Sequence, residues 1–185
     1  MHIYFSSLQS IEQQSMQLAS EDCIHCKQSH QLVSHGFIYK KQRCAEPVAI
    51  GKRVICSNRN RHTGCGRTMR LYLDSAVRYL HYAGQHVVAF VFSLMTGMTV
   101  QHAYFQATGT ADPRNAYRWL NRLRAQMSAF RSVFHQPHLQ ETAQISPPKC
   151  HPRWALLTTT FNGLSQKFGL PLCAAYQRQL QRSFC

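Results

Sequence analysis

Acidic side chains are what this sequence has least of: Asp and Glu number 7 in 185 residues, against 21 Lys and Arg, for a formal net charge of +14. That scarcity argues against one large class of function. Metal-assisted nucleases and transposases hold their catalytic cations with two or three carboxylates. Here the only candidates are Glu12, Glu21, Asp22, Glu46, Asp74, Asp112 and Glu141. Asp74 and Asp112 stand where helices are expected to begin, and Glu141 lies in a polar, proline-containing stretch. No β-rich segment follows that could build a catalytic core, so the chain is not expected to be an enzyme.

A long apolar run is also lacking. The most hydrophobic stretch, Val87 to Val100, is too short to span a bilayer and contains Gly97. The first twenty residues have neither a basic start nor a continuous apolar stretch, so no secretion signal is read there. The expectation is a cytoplasmic protein with no membrane partner. In a reducing compartment, paired cysteines are better read as metal ligands than as disulfides.

What is present is positive charge, densest around the cysteines. Residues 21–70 carry ten basic and three acidic side chains, against six and two in residues 71–135 and five and one in residues 136–185. A surface this cationic repels itself unless it meets an anion, and a phosphate backbone is the usual one. A membrane surface would call for an amphipathic, Lys-rich helix, whereas here Arg dominates and is scattered.

Of the eight cysteines, four stand out by spacing. Cys23 and Cys26 form a Cys-x-x-Cys turn, and Cys56 and Cys65 follow about thirty residues later with eight residues between them. Zinc takes four soft ligands in a tetrahedron, and cysteine turns at the ends of two hairpins supply them two at a time. One Zn(2+) per chain on Cys23, Cys26, Cys56 and Cys65 is therefore expected. His62 or Cys44 in place of one thiol is the alternative within this reading, and four ordinary buried thiols is the plainer one. Cys44 has no partner nearby in sequence and is read as structural; Cys150, Cys173 and Cys185 are read as isolated core or surface thiols.

Local patterning places these residues in an α+β fold, with a small N-terminal zinc β-ribbon followed by a helical, helix-turn-helix-like bundle. Residues 1–20 read as an arm with a weak helical pattern, and residues 21–73 as the ribbon, with strands in "QLVSHGFIYKKQR" and "IGKRVICS". Residues 74–135 read as three helices. The first is expected to start at an Asp74–Ser75 cap and run to Gly97, and the second to be capped by Thr99 and stopped by Gly109. The third is expected to start at Asp112 with Pro113 in its first turn. Ala116, Leu120, Leu123, Met127, Phe130 and Phe134 give it an almost unbroken apolar stripe, with Trp119 packing beside it. Residues 136–152 read as a linker, and 153–185 as a helical tail split by "GLP".

"CIHCKQSHQLVSHGFIYKK…GKRVICSNRNRHTGCGRTM" resembles the zinc ribbon that opens many bacterial insertion-sequence transposase proteins. Those show a CxxC turn, a Val and a Gly before a Tyr- and Lys/Arg-rich strand, and an Arg-flanked second cysteine pair ending in a "CGRTF"-like segment. Cys23, Cys26, Val33, Gly36, Tyr39, Arg53, Cys56, Cys65, Gly66, Arg67 and Thr68 stand at the matching places. The sequence departs in its eight-residue second turn and in Met69, where an aromatic is usual. The resemblance covers roughly residues 20–135. It implies a ribbon and helix-turn-helix that together bind element DNA, in a nucleoid-associated bacterial protein whose second partner is a separate transposase subunit.

The residue types suit duplex DNA independently of that resemblance. Arg59 and Arg61 in the second cysteine turn, and Arg67 after it, are candidate phosphate contacts. On the third helix the apolar stripe leaves Arg114, Arg118 and Asn121 near the opposite face, with Arg122 at its border and Asn115 and Tyr117 at the N-terminal end. Arg is bidentate to guanine and Asn to adenine, which suits base readout. A solvated Arg face on an ordinary amphipathic helix is the plainer reading of the same residues. Phe37 and Tyr39 keep open a single-strand or RNA-binding module that stacks bases. A protein-interaction ribbon and a fragment of a catalytic transposase are the remaining alternatives.

Overall fold

The computed structural model describes residues 2–40, 46–78, 80, 82–133 and 152–185. Four strands pair into one sheet: β1 (His2–Phe5), β2 (Leu32–Lys40), β3 (Val48–Cys56) and β4 (Thr68–Leu73), in the order β1-β4-β3-β2. The β2–β3 and β3–β4 pairs are antiparallel, while β1 runs parallel to β4. The register slips between Ser34 and Phe37, where Gly36 takes φ +84. Glycine enters that left-handed region without penalty, and the irregularity re-aims the end of β2.

The first twenty residues are not a separate arm, which corrects the expectation for them. They supply β1 and then α1 (Leu8–Gln17), which Ser7 caps by accepting from the Ser10 N–H at 3.1 Å. Ile11 of α1 and Leu18 of the 3-10 turn after it are buried with Leu32, Val54, Met69 and Leu71 of the sheet and with Cys23 and Cys56. Three short strands present one apolar face that needs a lid. Each large aliphatic side chain so covered contributes about 1.5–3 kcal/mol.

The chain divides into two compact units, Met1–His81 with Tyr176–Arg182, and Tyr82–Ala175 with Ser183–Cys185. The expected boundaries shift accordingly. No helix starts at Asp74; the first helix of the second unit is α2 (Gly84–Met95). Asp74 is instead buried, with its carboxylate 3.6 Å from the Arg178 guanidinium. Burial raises its pKa, and Arg178 pulls against that shift. The Gln177 side-chain amide donates to the carbonyls of Asp74 (2.6 Å) and Ala76 (3.0 Å). Gln181 takes the N–H of Tyr4 at 2.7 Å and gives its own amide to the Tyr4 carbonyl at 3.1 Å. The C-terminal segment is thus no free tail: residues 176–182 are part of the sheet unit.

In the second unit α2 is followed by α3 (Val100–Thr108), α4 (Arg114–Ala125), α5 (Met127–Ser132) and α6 (Ala155–Phe168). α7 (Leu172–Leu180) begins in this unit and ends in the other. Thr99 caps α3 as expected, accepting from His102 N–H at 3.3 Å, and Gly109 ends it in the left-handed conformation. The third helix of the sequence reading breaks at Gln126 into α4 and α5. Its stripe is buried at Ala116, Leu120, Leu123 and Phe130 but only half-buried at Met127, and Phe134 lies outside the described residues. Trp119 is a core residue, with ring centroids 5.2 Å from Tyr104, 5.4 Å from Tyr82 and 5.8 Å from Phe90. Residues 136–151 of the expected linker also lie outside the described residues.

Candidate metal centre

Two hydrogen-bonded turns of similar build bring the four thiols together. In the first, the Lys27 N–H donates to the Cys23 carbonyl at 2.8 Å, and Lys27, directly after the second thiol, has φ 60. In the second, the Gly66 N–H donates to the Cys56 carbonyl at 2.8 Å, and Gly66, again directly after the second thiol, has φ +71. The eight residues between Cys56 and Cys65 do not alter this frame. They leave it as an outward loop closed by Gly64 N–H to the Ser57 carbonyl at 2.7 Å.

The sulfur atoms of Cys23, Cys26, Cys56 and Cys65 all lie within 4.8 Å of one another. Sγ–Sγ separations are 3.8 Å for Cys23–Cys65 and 3.6 Å for Cys26–Cys56. A tetrahedron with metal–sulfur bonds of about 2.3 Å has edges of about 3.8 Å, so the cluster is already the size of a four-thiolate site. The four are positioned to bind one metal ion. His62 is not among them: its Nδ1 lies 3.2 Å from Gln31 Oε1. Cys44 and Cys150 are outside the described residues.

The electrostatics of the cluster call for a cation. Burial pushes the Cys56 thiol up to about 12, against the pull of the Cys65 N–H, which donates to its sulfur at 3.2 Å. Burial also opposes ionisation of Cys23, but hydrogen bonds from the Cys26 and His25 backbone and from neighbouring thiols outweigh it, and the group falls to about 7. Thiols this close cannot all ionise unless a positive ion neutralises them.

Two residues essential to this geometry carry no motif signal. At Gly64 an added Cβ would collide with the Cys56 sulfur and the Ser57 carbonyl oxygen. Gln31 fastens the outward loop: its carbonyl accepts from Ser57 N–H at 2.8 Å and its Oε1 from Thr63 N–H at 2.9 Å. A glycine between two cysteines is the only trace of the first in the sequence. The second leaves none, because Gln31 and Thr63 meet only when β2 pairs with β3.

The residues expected to meet DNA fall into the two units. Arg59, Arg61 and Arg67 are exposed on the second cysteine turn, with Arg67 Nη1 3.2 Å from His25 Nδ1 of the first. On α4, Tyr117, Arg118 and Asn121 are exposed, while Asn115 and Arg122 are half-buried. Arg118 Nη1 reaches Asn115 Oδ1 at 3.5 Å. Arg114 is exposed but held: its guanidinium lies 2.7 Å from Asp112, which also accepts its backbone N–H at 3.0 Å. The N-cap position falls to Pro113 and the helix begins at Arg114, so Asp112 stands one residue upstream of the expected cap and takes the Arg114 N–H from there.

No family model, no curated protein and no solved structure matches this chain. Among the described residues, no helix is long and apolar enough to cross a membrane.

Proposed function

We propose that this is a zinc-dependent protein that binds double-stranded DNA, the DNA-recognition component of a mobile element or a regulator derived from one. In this reading the metal is Zn(2+), since four thiolates in a closed tetrahedral set suit a structural zinc site. The sheet unit is a zinc ribbon, and α2, α3 and α4 act as a helix-turn-helix with α4 as the reading helix. One observation carries the proposal. The thiol cluster anchors the loop that presents Arg59 and Arg61, so metal binding and cation display are one structural event. Zinc here is a scaffold for phosphate contacts and no bond-breaking step is assigned to it. The absence of any carboxylate from the cluster fits that role.

The test is duplex binding by the zinc-loaded chain across a salt series. Each phosphate neutralised contributes about −0.9 to the slope of log K against log salt. Arg59→Gln with Arg61→Gln is expected to weaken binding equally on all sequences and to flatten that slope. No binding at low salt would refute the proposal and favour the protein-interaction reading. Preference for single strands would favour stacking on Tyr39, which is 61% exposed.

A further inference from the structure

We propose that the part of the sheet face turned away from α1 that carries the cross-strand pair Arg53 and Arg70 is a second phosphate-binding surface for duplex DNA; further along β4 and β1 the same face is closed, with Tyr72 and Tyr4 buried. It rests on the DNA-binding reading above and adds a surface to it. Val54 and Met69 are register partners whose side chains are buried in the core beneath α1. Successive residues of a strand point to opposite faces, so their neighbours Arg53 and Arg70, also register partners, point the other way. Like charges directly opposite each other destabilise a sheet. Among the described residues the ion-paired carboxylates are Asp74 and Asp112, and their partners are Arg178 and Arg114.

The surroundings of the pair are cationic as well. His2 lies beside Arg70 in the β1–β4 register, and its pKa is lowered to about 4, first by burial and then by cations that include Arg78 and Arg70. On the other side, Val33 and Ile55 are register partners, and Ile55 shares the face of Arg53. Both line a groove of about 540 Å³ together with His35, Asn58 and Arg59, and no carboxylate lines it. Arg59 therefore joins this face to the cysteine turn. A guanidinium is a planar fork matched to phosphate, and several in a row without acidic partners suit a polyanionic backbone. DNA would also relieve the repulsion expected of two cations at facing positions on adjacent strands.

The experiment compares the zinc-loaded full chain with Arg53→Gln/Arg70→Gln and with Arg53→Lys/Arg70→Lys. Measurements are zinc content, melting temperature, and affinity for a random duplex across a salt series. The Gln pair is expected to keep its zinc, melt at a higher temperature, and bind duplex about tenfold or more weakly at low salt. Its salt slope should be shallower by about 2, one unit per lost phosphate contact. The Lys pair should keep most of the slope and the lower melting temperature. Should the Gln pair lose its metal, Arg53→Gln alone, at an exposed position, carries the test with a slope change of about 1. If the Gln pair binds as the natural chain does, this surface is refuted and the DNA-binding reading stands. Absence of duplex binding by the natural chain overturns both. Tighter binding to a single strand or an acidic peptide, lost in the Gln pair, overturns the assignment to duplex DNA.

Discussion

Replacing Gly64 by Ala tests whether the outward loop and the thiol cluster are one construction. The new methyl group would meet the Cys56 sulfur and the Ser57 carbonyl oxygen, with the Cys56 carbonyl carbon at 3.0 Å. Two of these contacts are backbone, which does not swing aside as a long side chain does. Relief requires opening the 2.7 Å bond from Gly64 N–H to Ser57 or displacing the sulfur from the tetrahedron. Losing this half-buried hydrogen bond costs about 1–1.5 kcal/mol, and overpacking a tight site adds about 1–3 kcal/mol. The sum of roughly 2–4.5 kcal/mol corresponds to about a 30- to 1,600-fold loss of metal affinity, at tenfold per 1.4 kcal/mol. Competition with a chromophoric zinc chelator reads that loss directly. Natural affinity in Gly64→Ala would refute the geometry of the second turn.

Three further outcomes are expected. Acid should release the metal, because the ligands must be thiolates: Cys56, pushed up to about 12, carries its proton throughout the neutral range, so affinity should fall about tenfold per pH unit from this group alone. Cys23 adds to the fall below its value of about 7, and chelator competition at pH 8 and pH 6 checks both; an affinity independent of pH would contradict the thiolate site. Gln177→Ala should destabilise the sheet unit by about 2 kcal/mol in denaturant melts, since it strips a donor shared by the Asp74 and Ala76 carbonyls in a buried position. Arg118→Ala should leave melting unchanged, because the side chain is exposed, and should weaken a preferred duplex more than a random one if α4 reads bases; equal losses would make Arg118 a phosphate contact, and no loss would make α4 a packing element.

The sequence by itself determined the α+β class, the identity of the four clustered thiols, and most helix limits from Thr99 onward. Each is a local signal: a Cys-x-x-Cys turn, strand-type runs, a Thr cap, a left-handed Gly109. Tertiary structure decided what residues far apart in the chain do to one another. "HIYF" is too short to declare itself a strand, and it becomes one only because β4 offers a free edge. The apolar rhythm of Val77 and Leu80 reads as helix, yet Ala76 and Val77 are buried outside any helix while Gln177, about a hundred residues later, takes the Asp74 and Ala76 carbonyls. Spacing alone leaves His62 open as a ligand, and the fold gathers the four thiols without it while its ring meets Gln31. The pairing of the Arg114 guanidinium with Asp112 is likewise a product of the folded helix start. The facing of Arg53 and Arg70 was equally invisible, because register is set by which side chains the sheet must bury under α1, and that partner lies outside the strands themselves.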